Sequence, residues 1–194
     1  GKIELKPERV DLVEVLTHAV ETSQPLIKAG GHALEVTLPP EPVYLNADPV
    51  RLAQVFANLL NNAAKYTEPG GTIRVSAERQ AGDVVVRVRD TGIGIPPELL
   101  PRVFDLFTQV EHSLDRAQGG LGIGLALVRR LVEMHGGRVE AHSEGPGRGS
   151  EFIVYLPLAE SVPEGAAAPG EASWPVGFPS RLLIVDDNRD AADS

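Results

Sequence analysis

The run NLLNNAAKYT, residues 58–67, places three asparagines inside what its surroundings mark as a helix. Upstream, Asp48-Pro49 is a helix cap followed by proline at the first helical position. Leu52, Val55, Phe56, Leu59 and Ala63 then form one apolar stripe, so the spacing predicts a helix over 48–66. Gln54, Asn58, Asn62 and Lys65 fall on the opposite face, with Asn58 and Asn62 stacked one turn apart. A solvated polar face is the ordinary reading of such a set. Asparagine is a poor helix former, however, and a helix that keeps three within 58–62 is expected to use their amide oxygens. Neutral oxygens suit a magnesium ion whose charge is already matched by phosphates. Lys65, one turn on, would supply a point charge to a phosphate.

Downstream, Gly70-Gly71 turns the chain into two strands at about 72–79 and 83–90, joined at Ala81-Gly82-Asp83. The second strand runs into Asp90-Thr91-Gly92-Ile93-Gly94-Ile95-Pro96. These glycines read either as ordinary turn residues or as a place where backbone approaches a flat ligand closely. On the second reading, Asp90 accepts a hydrogen bond from an exocyclic amino group, which favours adenine over guanine. Residues 97–103 suggest a short helix, and 108–119 are polar without periodicity. Gly119-Gly120-Leu121-Gly122-Ile123-Gly124 then opens a helix predicted over about 122–135. Free N–H groups at such a helix start attract phosphate. A hinge reading is compatible, with 108–119 as a mobile lid. The spacing is neither GxGxxG in a βαβ unit nor GxxxxGK[ST], so the Rossmann and P-loop alternatives fail. Gly136-Gly137 ends the helix, and strands at about 138–143 and 150–157 follow.

Toward the amino terminus, 2–6 suggests a short strand, and Asp11 with Glu14 a capping box for a helix ending at Gly30-Gly31. Strands at 32–38 and 43–46 precede Asp48. Residues 159–180, rich in Ala, Pro, Gly, Glu and Ser, read as a flexible linker. RLLIVDDN at 181–188 begins as a buried parallel strand of a further α/β domain would. The formal net charge of -9 argues against a nucleic-acid partner, because such affinity rests on Lys and Arg. The absence of cysteine excludes disulfides and thiolate metal sites and fits a reducing cytosol. No apolar run approaches the roughly 20 residues that cross a bilayer. The expectation is a cytoplasmic piece of a longer protein, with the parent's membrane attachment left open.

Taken together, these boxes resemble the ATP-binding domain shared by histidine kinases, gyrase B, Hsp90 and MutL. NLLNNAAKYT looks like the histidine kinase N box, and DTGIGIP like the first glycine box. Phe104 and Phe107 in VFDLFTQ look like the F box, and GLGIGLALV at 120–128 like the second glycine box. The resemblance covers roughly 2–158. It implies a two-layer α/β sandwich of the Bergerat type, a mixed, mostly antiparallel sheet packed on about three helices. It further implies ATP between the helices under a lid. Asn62 would be the main magnesium ligand with Asn58 beside it, and Lys65 and Tyr66 would contact the nucleotide. Asp90 would hold the adenine amino group, with Gly92, Gly94 and Ile95 framing the base and Phe107 beside it. Gly120, Leu121, Gly122, Gly124 and Leu125 would shape the phosphate end, with Arg116 of the lid offered to the phosphates.

Hydrolysing members resemble each other in placing a glutamate four residues before the main asparagine, as general base for water. Here that place holds Asn58, which cannot take a proton near neutral pH. The resemblance therefore implies a protein-histidine kinase module that presents the γ-phosphoryl of ATP to a histidine on an upstream dimerisation domain. None of His18, His32, His112, His135 and His142 lies in the family's His-Glu-Leu type of motif, so the acceptor is expected elsewhere. Residues 181–194 look like the truncated start of a receiver domain, with Asp186 and Asp187 as its acidic pair, which implies a hybrid, homodimeric parent. The oligomeric state of this piece stays open. Two other readings are a nucleotide-gated binding module without turnover and an ATPase or serine kinase of the same fold.

Overall fold

The computed structural model describes residues 4–106 and 123–159, together with the backbone of 183–184. The elements are β1 (Glu8–Asp11), α1 (Leu12–Ala29), β2 (Ala33–Thr37), β3 (Tyr44–Ala47) and α2 (Pro49–Tyr66). There follow β4 (Thr72–Gln80), β5 (Asp83–Asp90), a 3-10 turn (Leu100–Arg102), α3 (Gly124–Met134), β6 (Arg138–His142), β7 (Glu151–Pro157) and β8 (Leu183–Ile184).

Two elements depart from the sequence expectation. The first strand lies at 8–11, and the described part of the expected 2–6 strand, residues 4–6, is not in a strand, because β3 is short and the register fixes Glu8 opposite Ala47 and Asp11 opposite Tyr44. Residues 4–7 run past the end of β3, and the Lys6 N–H turns instead to the Asp48 carboxylate at 3.0 Å. The helix expected over 97–103 contracts to the 3-10 turn. Pro101 lacks an N–H and would break an α-helical ladder there.

Both long helices start where their caps dictate. Asp11 Oδ1 accepts from the Val13 N–H at 2.9 Å, and Asp48 Oδ1 accepts from the Arg51 N–H at 3.0 Å. The first helix ends at Gly30, after which Gly31 takes φ +61. The main sheet has the order β6-β7-β5-β4-β2-β8. The β2–β4 pair is parallel, joined by a crossover that contains β3 and α2, and the other pairs are antiparallel. The β1–β3 ribbon stands apart from it.

Helix α2 packs against β4 and β5, with α1 on one flank and α3 on the other. This is the expected two-layer sandwich of a mixed, mostly antiparallel sheet on three helices. Val84, Val86 and Val88 of β5 alternate inward and are buried. They meet Leu52, Val55, Phe56 and Leu59 of α2, all fully buried in the same core. Each such side chain contributes roughly 1.5–3 kcal/mol on leaving water. Of the residues expected to open a further domain, Leu183 and Ile184 lie antiparallel beside β2, opposite Val36 and Glu35. Among the described residues no helix is long and apolar enough to cross a membrane.

Candidate functional site: a cleft between α2, the Asp90 turn and α3

The C-terminal ends of α2 and β5 converge, and main-chain bonds hold them together. The Ile93 N–H donates to Tyr66 O at 3.0 Å, while the Thr91 N–H ties the end of β5 to the start of β4 through Thr72 O at 3.1 Å. Gly92 lies flat against α2; a Cβ there would sit 2.2 Å from Tyr66 O. A second loop, 143–150, closes over the first. Gly149 N–H donates to Gly92 O at 3.0 Å and Gly147 N–H to Ile93 O at 2.7 Å. The Ser143 hydroxyl accepts from the Ile95 N–H at 2.9 Å and donates to Gly149 O at 2.7 Å. Gly94 and Gly149 take φ +71 and +70, and Cβ atoms on them would fall 2.1 Å from Gly145 O and 2.0 Å from Asp90 O. Only glycine fits either place.

Beside this double loop lies an open cleft. Its polar atoms come from Asn62, Tyr66, Asp90 and Ser150, and its apolar walls from Ala63, Ile93, Ile95, Leu99, Val103, Leu125 and Phe152. Asp90 is 4 % exposed. Its Oδ1 accepts from the Gly92 N–H at 2.8 Å and the Ser150 N–H at 3.3 Å, and its Oδ2 accepts from the Ser150 hydroxyl. Those bonds fix the carboxylate while each oxygen keeps further acceptor capacity toward the cleft. Phe104 meets Phe152 edge to face at 6.2 Å and backs the apolar wall.

The residues singled out from the sequence largely gather here. Asn62, Tyr66, Asp90, Gly94, Ile95 and Leu125 line the one cleft, and Gly92 packs behind them against the Tyr66 carbonyl. Asn58 lies one turn from Asn62 and faces the start of α3; a Cβ on Gly124 would be 4.0 Å from its Oδ1. Lys65 places its ammonium 5.0 Å from the centre of the Tyr66 ring. Gln54, on the same face of α2, is taken up by the Arg51 guanidinium at 3.1 Å. Phe107, Arg116, Gly120, Leu121 and Gly122 lie outside the described residues.

Sequence reading missed Ser150, Ser143 and the apolar wall of Leu99, Val103 and Phe152. The signal for the two serines was present as SEGPGRGS at 143–150, whose three alternate glycines exceed what a simple strand connection needs. Gly145, Gly147 and Gly149 all have positive φ. The apolar wall carried no such mark, since its residues look like any core residue.

At the far end of α2, burial pushes the Asp48 carboxyl toward its neutral form. The Lys6 and Arg51 backbone N–H groups, then the Arg51 guanidinium, outweigh burial and hold its pKa below the ordinary value.

The histidine kinase-, DNA gyrase B- and HSP90-like ATPase family matches residues 47–160 of this chain. The chain belongs to that family. Within this ATPase family it is 34% identical to the circadian input-output histidine kinase CikA of Synechococcus elongatus, over 99% of this chain and 25% of CikA. The chain thus spans about a quarter of that relative's length. Among solved structures, the mycobacterial sensor histidine kinase MprB matches with a TM-score of 0.69 at 30% identity, covering 78% of this chain and 98% of that one. Full-length ShkA in complex with AMPPNP matches with a TM-score of 0.69 at 32% identity, covering 82% and 32%. This chain therefore carries the ATPase-family domain of sensor histidine kinases, with their α/β sandwich.

Proposed function

We propose that the cleft holds ATP with magnesium and presents the γ-phosphoryl to a histidine supplied by another domain of the parent protein. The observation that carries this reading is the convergence of Asn62, Tyr66, Asp90 and Leu125 on one cleft, with Asn58 and Gly124 adjoining. Asp90 and Ser150 suit the adenine edge: the carboxylate accepts from the exocyclic amine, while the double loop leaves room for a flat base. Ile95, Leu99, Val103 and Phe152 would cover its faces.

Asn58 and Asn62 are the natural holders of magnesium. Neither side-chain amide has a hydrogen-bond partner among the described residues, so both oxygens are free to ligate. Among the described residues no three His, Cys, Asp or Glu side chains converge. A metal here would thus draw the rest of its shell from phosphate oxygens and water. Bound magnesium would neutralise charge on the phosphates. Lys65 adds a point charge, and Gly120, Leu121, Gly122 and Arg116 are assigned to the phosphate end by resemblance alone. Catalysis by such a site is positioning and charge neutralisation. Asn58 offers no proton acceptor for a water, which favours transfer over hydrolysis.

The acceptor is assigned to an upstream dimerisation domain of a homodimeric parent. Residues 159–180 would link the kinase module to a receiver domain beginning at 181. The test is label transfer: this chain, mixed with its upstream helical domain and γ-labelled ATP, should yield acid-labile label on that domain. Acid-stable label would assign a serine or threonine acceptor instead.

A further inference from the structure

A buried polar node lies at the end of α2 and α3 remote from the cleft. The Asp48 N–H donates to His135 Nε2 at 3.1 Å, and His135 Nδ1 lies 2.7 Å from Leu131 O. A backbone N–H can only donate and a carbonyl can only accept, so His135 is the neutral tautomer with its proton on Nδ1. His135 and Asp48 are 9 % and 7 % exposed, so no water replaces these bonds cheaply. The two helices are antiparallel. Asp48 at the start of α2 meets His135 at the end of α3, and Asn58, midway along α2, faces Gly124 at the start of α3. Between these points run about 15 Å of α2 and about 16 Å of α3. Val128, Leu131 and Val132 fill the space between with no exposure, so the helices move as rods.

We propose that His135 is a positioning residue for the nucleotide cleft. It fastens the end of α3 to the start of α2 and thereby sets the gap between Asn58 and Gly124, and between Asn62 and Leu125, at the far end. This inference rests on the functional reading above. A tilt of about 4° about the node would move the far end by about 1 Å. That is enough to misplace groups that must meet a metal and a phosphate together.

Coupling of this kind is reciprocal: if the node tightens nucleotide binding, nucleotide must tighten the node by the same factor. The chain and its variants His135→Leu and His135→Gln are compared by calorimetry with Mg-ADP, well below each melting temperature. His135→Leu should raise the Kd roughly fivefold or more. His135→Gln, whose Oε1 can accept the Asp48 N–H, should stay within about twofold of the parent. In the unmutated chain, saturating Mg-ADP should slow hydrogen exchange of the Asp48 amide and leave that of Leu12, bonded to Val43 O, unchanged. An unaltered Kd in His135→Leu, with only a lower melting temperature, would make the histidine purely structural and overturn the proposal. If that variant does not fold, an Asp48 exchange rate indifferent to Mg-ADP overturns it equally. Failure of the unmutated chain to bind Mg-ADP would remove the functional reading itself, and this inference with it.

Discussion

Ser150 holds Asp90 from two sides, its N–H donating to Oδ1 and its hydroxyl to Oδ2. Asp90 closes β5 and Ser150 immediately precedes β7, the neighbouring antiparallel strand, so the pair is set by sheet register rather than by loop conformation. The carboxylate's direction is thus fixed before any ligand arrives.

Asp90→Asn should therefore damage recognition more than folding. The amide can still accept from Gly92, but its NH2 must face either Ser150 or the incoming amine. We expect at least a tenfold loss of ATP affinity, about 1.4 kcal/mol, with a smaller loss for GTP. Calorimetry with both nucleotides checks this; an equal loss for both would mean that Asp90 does not read the base.

Asn62→Asp places a negative charge where phosphates are proposed to sit. Like charges about 4 Å apart repel by several kcal/mol at the effective dielectric of a protein surface. Mg-ATP affinity should fall by roughly tenfold or more, and its magnesium dependence should change. Unchanged values in a titration would assign the metal elsewhere.

Gly94→Ala and Gly149→Ala each put a Cβ into a carbonyl and force a left-handed backbone. Each should cost about 1–3 kcal/mol in urea denaturation. Both should also weaken nucleotide binding, because the loops they separate form one wall. Gly82→Ala is the control: nothing lies within 4 Å of its added Cβ, and stability should change little.

Asp48 predicts a pH dependence of stability. Its folded pKa lies below the ordinary 3.8. Its contribution is therefore complete above that value and is lost as pH falls through the lower folded one. Asp48→Asn keeps an acceptor for the helix start without the titration. The stability gap between parent and variant should be steady near pH 7 and narrow below about pH 4. Asp48→Ala, which removes the cap, should cost about 1 kcal/mol at neutral pH. Urea midpoints across the range report both.

The fold was largely legible because its boundaries are written in local chemistry. Asp48-Pro49, Asp11, Gly30-Gly31 and Gly70-Gly71 each mark an end that the structure confirms to within a residue or two. The first strand was misplaced because pairing, not propensity, decides where a four-residue strand sits. Asn62 and Asp90 stood out because each breaks a local rule, an asparagine cluster in a helix and a carboxylate ending a valine strand, whereas Tyr66 came from the family resemblance alone. Ser150 was not, because a serine before a strand is ordinary. Its meaning comes from a neighbour 60 residues away. His135 was likewise silent, as its partner Asp48 is an N–H donor that no sequence pattern displays.

The double loop of 92–95 and 143–150 is tied by main-chain bonds and turns on Gly92, Gly94 and Gly149, none of which has room for a Cβ. Such a wall cannot be repainted by substitution without losing the loop itself. An inhibitor that takes its polar contacts from that main chain would leave escape mutations few places to arise. They would be driven to the apolar side, at Leu99, Val103 or Leu125, where a change of bulk is easily matched by a change of inhibitor shape.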